Sequence, residues 1–140
     1  MESRIHNLES EIGEHMREII ETSAAPSPIG PYSQAVRGNG FIFVSGQIPV
    51  RPDTGTVAGD DIESQTRQVM MNLEAILKAA GVGLDKVVKT TVFLSNLDNF
   101  SAFNRIYEEY FGEAKPARAT VEVAHLPKAV LLEVEAIAIG

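Results

Sequence analysis

The sequence predicts an α+β fold, a β-sheet with two helices on one face. Three observations predict it. Two segments repeat apolar residues at helical spacing, several short runs are β-branched or alternate apolar with polar, and Gly, Pro and Asn clusters punctuate them. At 140 residues and 44% hydrophobic, the chain fits one domain with a modest core.

Residues 1–16 place Ile5, Leu8, Ile12 and Met16 on one helical stripe. So short a helix is marginal alone, so the segment reads as an N-terminal extension, either a frayed leader or a helix that docks or self-associates, before a domain spanning 17–140. REIIE, Arg17 to Glu21, reads as the first strand, and the proline-rich TSAAPSPIGPYS after it excludes helix. Strands over Ser33–Arg37 and Phe41–Ser45 flank Gly38-Asn39-Gly40, a hairpin signal because Asn-Gly tolerates positive φ. The strongest helix runs from Ile62 to Ala80, with Thr66, Val69, Met70, Leu73, Ile76 and Leu77 on its apolar stripe. Asp60 and Glu63 form a capping-box pattern at its start, and Gly81 ends it.

KVVKTTVFL, Lys86 to Leu94, reads as a strand. Asp98 is placed to cap a second helix whose Phe100, Phe103, Tyr107, Tyr110 and Phe111 share one face; such an aromatic stripe reads as core. Strands over Arg118–Ala124 and Val130–Ile139 close the chain. In strand 86–94, period two puts Val87, Thr91 and Phe93 on one side and Val88, Val92 and Leu94 on the other, so both sides seek burial. Two helices cover only one. The other face is expected to pack against a second copy of the chain.

The net charge of −7 is uneven: residues 1–22 hold six acidic and two basic side chains, leaving 13 against 10 for the rest. No basic patch is present, so nucleic acid is not an expected partner. No apolar run approaches the roughly 20 residues a membrane-spanning helix needs, and no signal peptide is visible, so a cytoplasmic location is expected. With no cysteine, thiolate metal sites and cysteine nucleophiles are excluded; His6, His15 and His125 form no metal constellation. Neither a phosphate loop nor a nucleophile elbow occurs.

What remains is a small polar set: Tyr32, Ser45, Asn104, Arg118 and Glu133. Arg118 heads a strand whose Arg118, Thr120 and Glu122 alternate with Ala119, Val121 and Val123. By position alone it is either a solvated edge charge or a ligand-binding guanidinium.

IGPYSQAV (29–36), VSGQIPV (44–50), VVKTTVFL (87–94), PARATVEVAHLP (116–127) and LLEVEAIAI (131–139) together resemble the RidA (YjgF/YER057c/UK114) family. The resemblance implies a chorismate-mutase-like mixed sheet, a homotrimer whose sheets form a central barrel, and sites in clefts between subunits. It also implies a cofactor-free deaminase that hydrolyses 2-imino and 2-enamino acids to 2-keto acids and ammonia. By the same resemblance Arg118 grips the substrate carboxylate and Glu133 orients the attacking water, while Tyr32, Ser45, Gly46 and Asn104 line the site. Two departures bear on the pocket: Thr120 stands where many relatives have cysteine, and His125 where relatives vary. Two other functions compete. One is a regulatory protein that binds a small carboxylate in the Arg118 pocket without turnover. The other is an endoribonuclease or translation inhibitor, which the lack of a basic surface disfavours.

Overall fold

The structure, a computed structural model, describes residues 17–140; the predicted helical stripe of residues 1–16 lies outside them. Six strands form one sheet: β1 Glu18–Ile20, β2 Ala35–Gly38, β3 Phe41–Gln47, β4 Val87–Leu94, β5 Ala117–Glu122 and β6 Leu132–Ile139. Their order is β1-β2-β3-β6-β4-β5. All neighbours are antiparallel except β4 and β5, which run parallel. A parallel neighbour needs a crossover, and α2 (Phe100–Phe111) provides it. The other helix, α1, spans Ile62–Ala79.

The β2–β3 hairpin turns at Asn39 and Gly40, with φ of 53° and 81°, the left-handed pair that Asn-Gly adopts at low cost. Asp61, not Asp60, caps α1: its carboxylate accepts from the Ser64 amide at 3.0 Å and the Ser64 hydroxyl at 2.7 Å. Asp98 caps nothing in α2. A 3₁₀ turn, Leu97–Asn99, intervenes, and Asn96 accepts from the Asp98 amide there. In both places several adjacent side chains could cap, and the path of the incoming chain selects one.

One core unites the sheet and both helices. Ile42, Val44, Val92, Leu94, Leu132, Val134, Ala136 and Ala138 point to it from the strands, Val69, Leu73, Ile76 and Leu77 from α1, and Phe103, Tyr107 and Phe111 from α2. Both helices therefore lie on the same face. On the opposite face, Phe43 pairs with Ile137, Phe41 with Ile139, and Phe93 with Glu133. Ile19, Phe41, Phe43, Val121 and Ile139 stand exposed. The side assignment within β4 needs one correction. Val87 pairs with Ala138 and Lys89 with Ile137, so Val88 is an extra bulged residue, and Val87 joins Val92 and Leu94 on the core side. A bulge shifts the period-two alternation by one, and alternation alone does not reveal it.

Candidate functional site

Arg118 enters the sheet beside Thr90, Thr120 beside Val92, and Glu122 beside Leu94. Paired residues share a face, so the polar side of β5 is the side that α2 covers. Arg118 accordingly points at the helix. Its Nη1 donates to Asn104 Oδ1 at 2.7 Å, and its guanidinium carbon lies 4.8 Å from the Tyr107 ring centre and 5.4 Å from that of Phe100. Tyr107 is itself held, its hydroxyl 2.7 Å from Thr90 Oγ1 in the interior. Burial raises the Tyr107 proton affinity, against the lowering effects of the Thr90 hydrogen bond and the Arg118 charge. The guanidinium stays half-buried at the edge of a cleft of about 480 Å³, lined also by Glu108, Lys115 and Pro116. Thr120, two residues on and on the same face, buries its hydroxyl without a hydrogen-bond partner among the described residues.

Glu133 stands on the other side of the sheet, paired with Phe93. Burial is the main cause that raises its carboxyl pKa above the ordinary value, and the neighbouring Glu135 charge adds to it. The carboxylate lies against Gly46. A Cβ on Gly46 would fall 2.1 Å from Glu133 Oε2, so glycine lets the carboxylate lie there and a larger residue would displace it. The backbone supplies the approach: between Val44 and Gln47 the β3–β6 register shifts, setting Ser45 and Gly46 opposite Glu135 alone.

Ser45 and Tyr32 form a third group. The Ser45 hydroxyl donates to the Ser33 carbonyl at 2.6 Å, so here it anchors the segment that carries Tyr32. Gln34, buried beneath that segment, donates to the Thr22, Ala25 and Pro26 carbonyls and accepts from the Thr22 amide. Four bonds from one side chain replace the backbone pairing that a proline-rich loop lacks. Tyr32 is exposed. It borders one cleft with Ser45 and a second, of about 280 Å³, with Gly46.

The six residues singled out in the sequence thus fall into three groups: Arg118 with Asn104, Glu133 with Gly46, and Ser45 with Tyr32. Arg118 and Glu133 are not together within one chain. The Arg118 row runs through Thr90 to Ala136, three residues along β6 from Glu133 and two strands away. At ordinary strand spacings that is ~14 Å between Cα atoms, with the side chains on opposite faces. Sequence reasoning missed Phe100 and Tyr107 as neighbours of Arg118. Their spacing around Asn104, i, i+4 and i+7, was a signal, but an aromatic stripe also suits a core. His125 is exposed in the loop after β5. No group of three or more metal-ligating side chains occurs among the described residues.

A small α+β domain with a clamped arginine at a sheet edge and a half-buried carboxylate against a glycine defines the class, and comparison with known proteins places it. The chain belongs to the family described as Endoribonuclease L-PSP, the YjgF/RidA family, which it matches over residues 22–140. A RutC family protein of Pyrococcus horikoshii is 55% identical over 123 residues, 88% of this chain and 98% of that one. The chloroplastic Reactive Intermediate Deaminase A of Arabidopsis thaliana is 43% identical over 122 residues, covering 87% of this chain and 65% of its own. The crystal structure of Escherichia coli TdcF with bound serine superposes with a TM-score of 0.83 at 44% identity, covering 88% of this chain and 98% of that chain.

Proposed function

We propose that this protein hydrolyses reactive 2-imino and 2-enamino acids, among them 2-aminoacrylate, 2-iminobutanoate and 2-iminopropanoate, to 2-keto acids and ammonia. The observation that carries the reading is Arg118. Its guanidinium is fixed at an open cleft by a neutral amide and two rings, and among the described residues it forms no ion pair. A planar fork free of carboxylate partners suits a substrate carboxylate, which it can meet through two parallel hydrogen bonds. The name of the Arabidopsis relative and the serine bound to TdcF, an α-amino acid with its own carboxylate, support the same chemistry.

In the proposed reaction, the enamine tautomerises to the imine, and the protonated imine carbon is already electrophilic. Glu133, ionised, accepts a proton from water as the oxygen adds to that carbon. That proton passes to nitrogen; as the C–N bond of the carbinolamine breaks, its hydroxyl gives a proton back to the Glu133 carboxylate and then to the departing ammonia, so the keto acid and ammonium leave and Glu133 is again ionised. A positioned water and a carboxylate base are sufficient, and no cofactor takes part. Because Arg118 and Glu133 lie on opposite faces, one copy supplies the clamp and a neighbouring copy the base. This fits a homotrimer in which the helix-free faces meet as a central barrel.

The test couples the protein to a threonine dehydratase, which releases 2-iminobutanoate, and follows 2-oxobutanoate formation. Wild type should accelerate it. Arg118→Ala should lower kcat/KM on the order of 10²-fold or more, since two charge-assisted hydrogen bonds are lost, while assembly is kept. Arg118→Lys keeps the charge without the fork and should stay strongly impaired. Binding of the keto acid without acceleration would replace the enzyme by a carboxylate-binding protein.

A further inference from the structure

Phe100, Asn104 and Tyr107 occupy positions i, i+4 and i+7 of α2, so one face of the helix meets the Arg118 guanidinium. The contacts differ in kind. Asn104 takes one N–H, whereas the two rings lie with their centres 5.4 and 4.8 Å from the guanidinium carbon, and no other Arg118 side-chain N–H makes a hydrogen bond of good geometry among the described residues. A carboxylate in their place would hold the arginine equally firmly and occupy the fork that a substrate needs. Tyr107 cannot swing away, being bonded to Thr90 and packed 5.4 Å from Phe103 and 4.8 Å from Phe111, centre to centre. Phe100 differs from the core aromatics: Phe103 and Phe111 are sealed at 0% and 1% exposure, but Phe100 is only half-buried.

We propose that Phe100 and Tyr107 are positioning residues, a pair of ring faces that orders the Arg118 side chain before substrate arrives and leaves its free N–H edge for the carboxylate. An unsupported arginine loses the freedom of a long side chain when it binds a ligand. One already ordered has less to lose, so the rings act on affinity for the carboxylate and little on the hydrolytic step. The inference rests on the reading of Arg118 as the carboxylate clamp.

Two measurements separate the two ideas: binding of 2-oxobutanoate by calorimetry, which needs no turnover, and the split of KM against kcat in the coupled assay. Phe100→Leu should weaken 2-oxobutanoate binding and raise KM about fivefold, the size expected for one partly exposed cation–ring contact, with kcat within about twofold. Phe100→Tyr restores a ring face and should restore both constants. Phe100→Met, unbranched and of similar bulk, repeats the test if the leucine variant folds poorly. If Arg118→Ala binds 2-oxobutanoate as wild type does, or wild type does not bind it, the clamp reading fails and takes this inference with it. If Arg118→Ala loses binding while Phe100→Leu and Phe100→Met keep wild-type affinity, the clamp stands and the positioning role is overturned. A lower unfolding temperature with unchanged affinity also overturns it, since it would leave Phe100 only a packing role.

Discussion

Glu133 sits where two demands on a carboxyl group conflict. Burial and the Glu135 charge favour its protonated form, whereas the role of base proposed for it requires the ionised one. The acid limb of the kcat profile should therefore lie above the ordinary glutamate value. Glu135→Gln removes the like charge and should move that limb to lower pH. Stability follows with a definite sign. A carboxyl whose folded pKa is raised contributes stability that is fully present below the unfolded value and lost as pH rises through the folded value. Glu133→Gln should therefore abolish turnover yet unfold at the same or a higher temperature than wild type at neutral pH, with the advantage shrinking on acidification. Thermal melts of both proteins across pH 4 to 8 check this. A variant less stable than wild type at neutral pH would mean that Glu133 serves the fold instead.

At the scale of elements, α1 organises the loops around Glu133 through buried amides. Asn72 donates to the Ile48 and Val50 carbonyls, just beyond Gly46. Gln68 bonds Asn72, and Gln65 accepts from the Leu131 amide, two residues before Glu133. Asn72→Ala leaves the Val50 carbonyl and the Gln68 side-chain amide without these partners in the interior, at about 1–3 kcal/mol for each orphaned group, while the Ile48 carbonyl still accepts from the Val50 amide. Denaturant unfolding should show that loss with an unchanged slope. Asp61 acts at the other margin of α1. Its carboxyl pKa is lowered, chiefly by the Ser64 amide, so its contribution is present above the unfolded value and lost as pH falls through the folded one. Asp61→Ala should lower the melting temperature at neutral pH, and Asp60→Ala should not. Equal effects from the two would contradict the cap seen here.

For the whole molecule, the helix-free face is the dominant fact. Ile19 and Phe43 expose 54% and 49% of their surface there, and Val121 43%. So many large apolar side chains exposed on one face of a small domain call for a partner. Sedimentation equilibrium should give about three times the 15.2 kDa chain mass. Complementation tests whether sites are shared. Arg118→Ala and Glu133→Gln are each expected to be inactive, but co-expressed in equal amounts they should assort into mixed trimers. Each site then has the intact arginine from one copy and the intact glutamate from the next in about a quarter of cases, and activity should return to about that fraction of wild type. No recovery in verified mixed oligomers would place both residues in one chain's site. No described helix is long and apolar enough to cross a membrane.

The sequence by itself determined the elements and singled out the candidate side chains. Both helices, the Asn-Gly hairpin and the last three strands follow from spacing and turn chemistry, which act over a few residues, and Arg118 and Glu133 stand out by the motifs around them. Tertiary structure decided everything that depends on pairing. It chose Asp61 over Asp60 as the cap, inserted the bulge at Val88 that moves Val87 to the core, and made Ser45 a loop anchor. It also turned the polar side of β5 toward α2, converting part of an aromatic stripe into a clamp for Arg118. Finally, it set Arg118 and Glu133 on opposite faces. Strand order and register arise from contacts between residues distant in the chain, and no local periodicity encodes which face a paired strand presents.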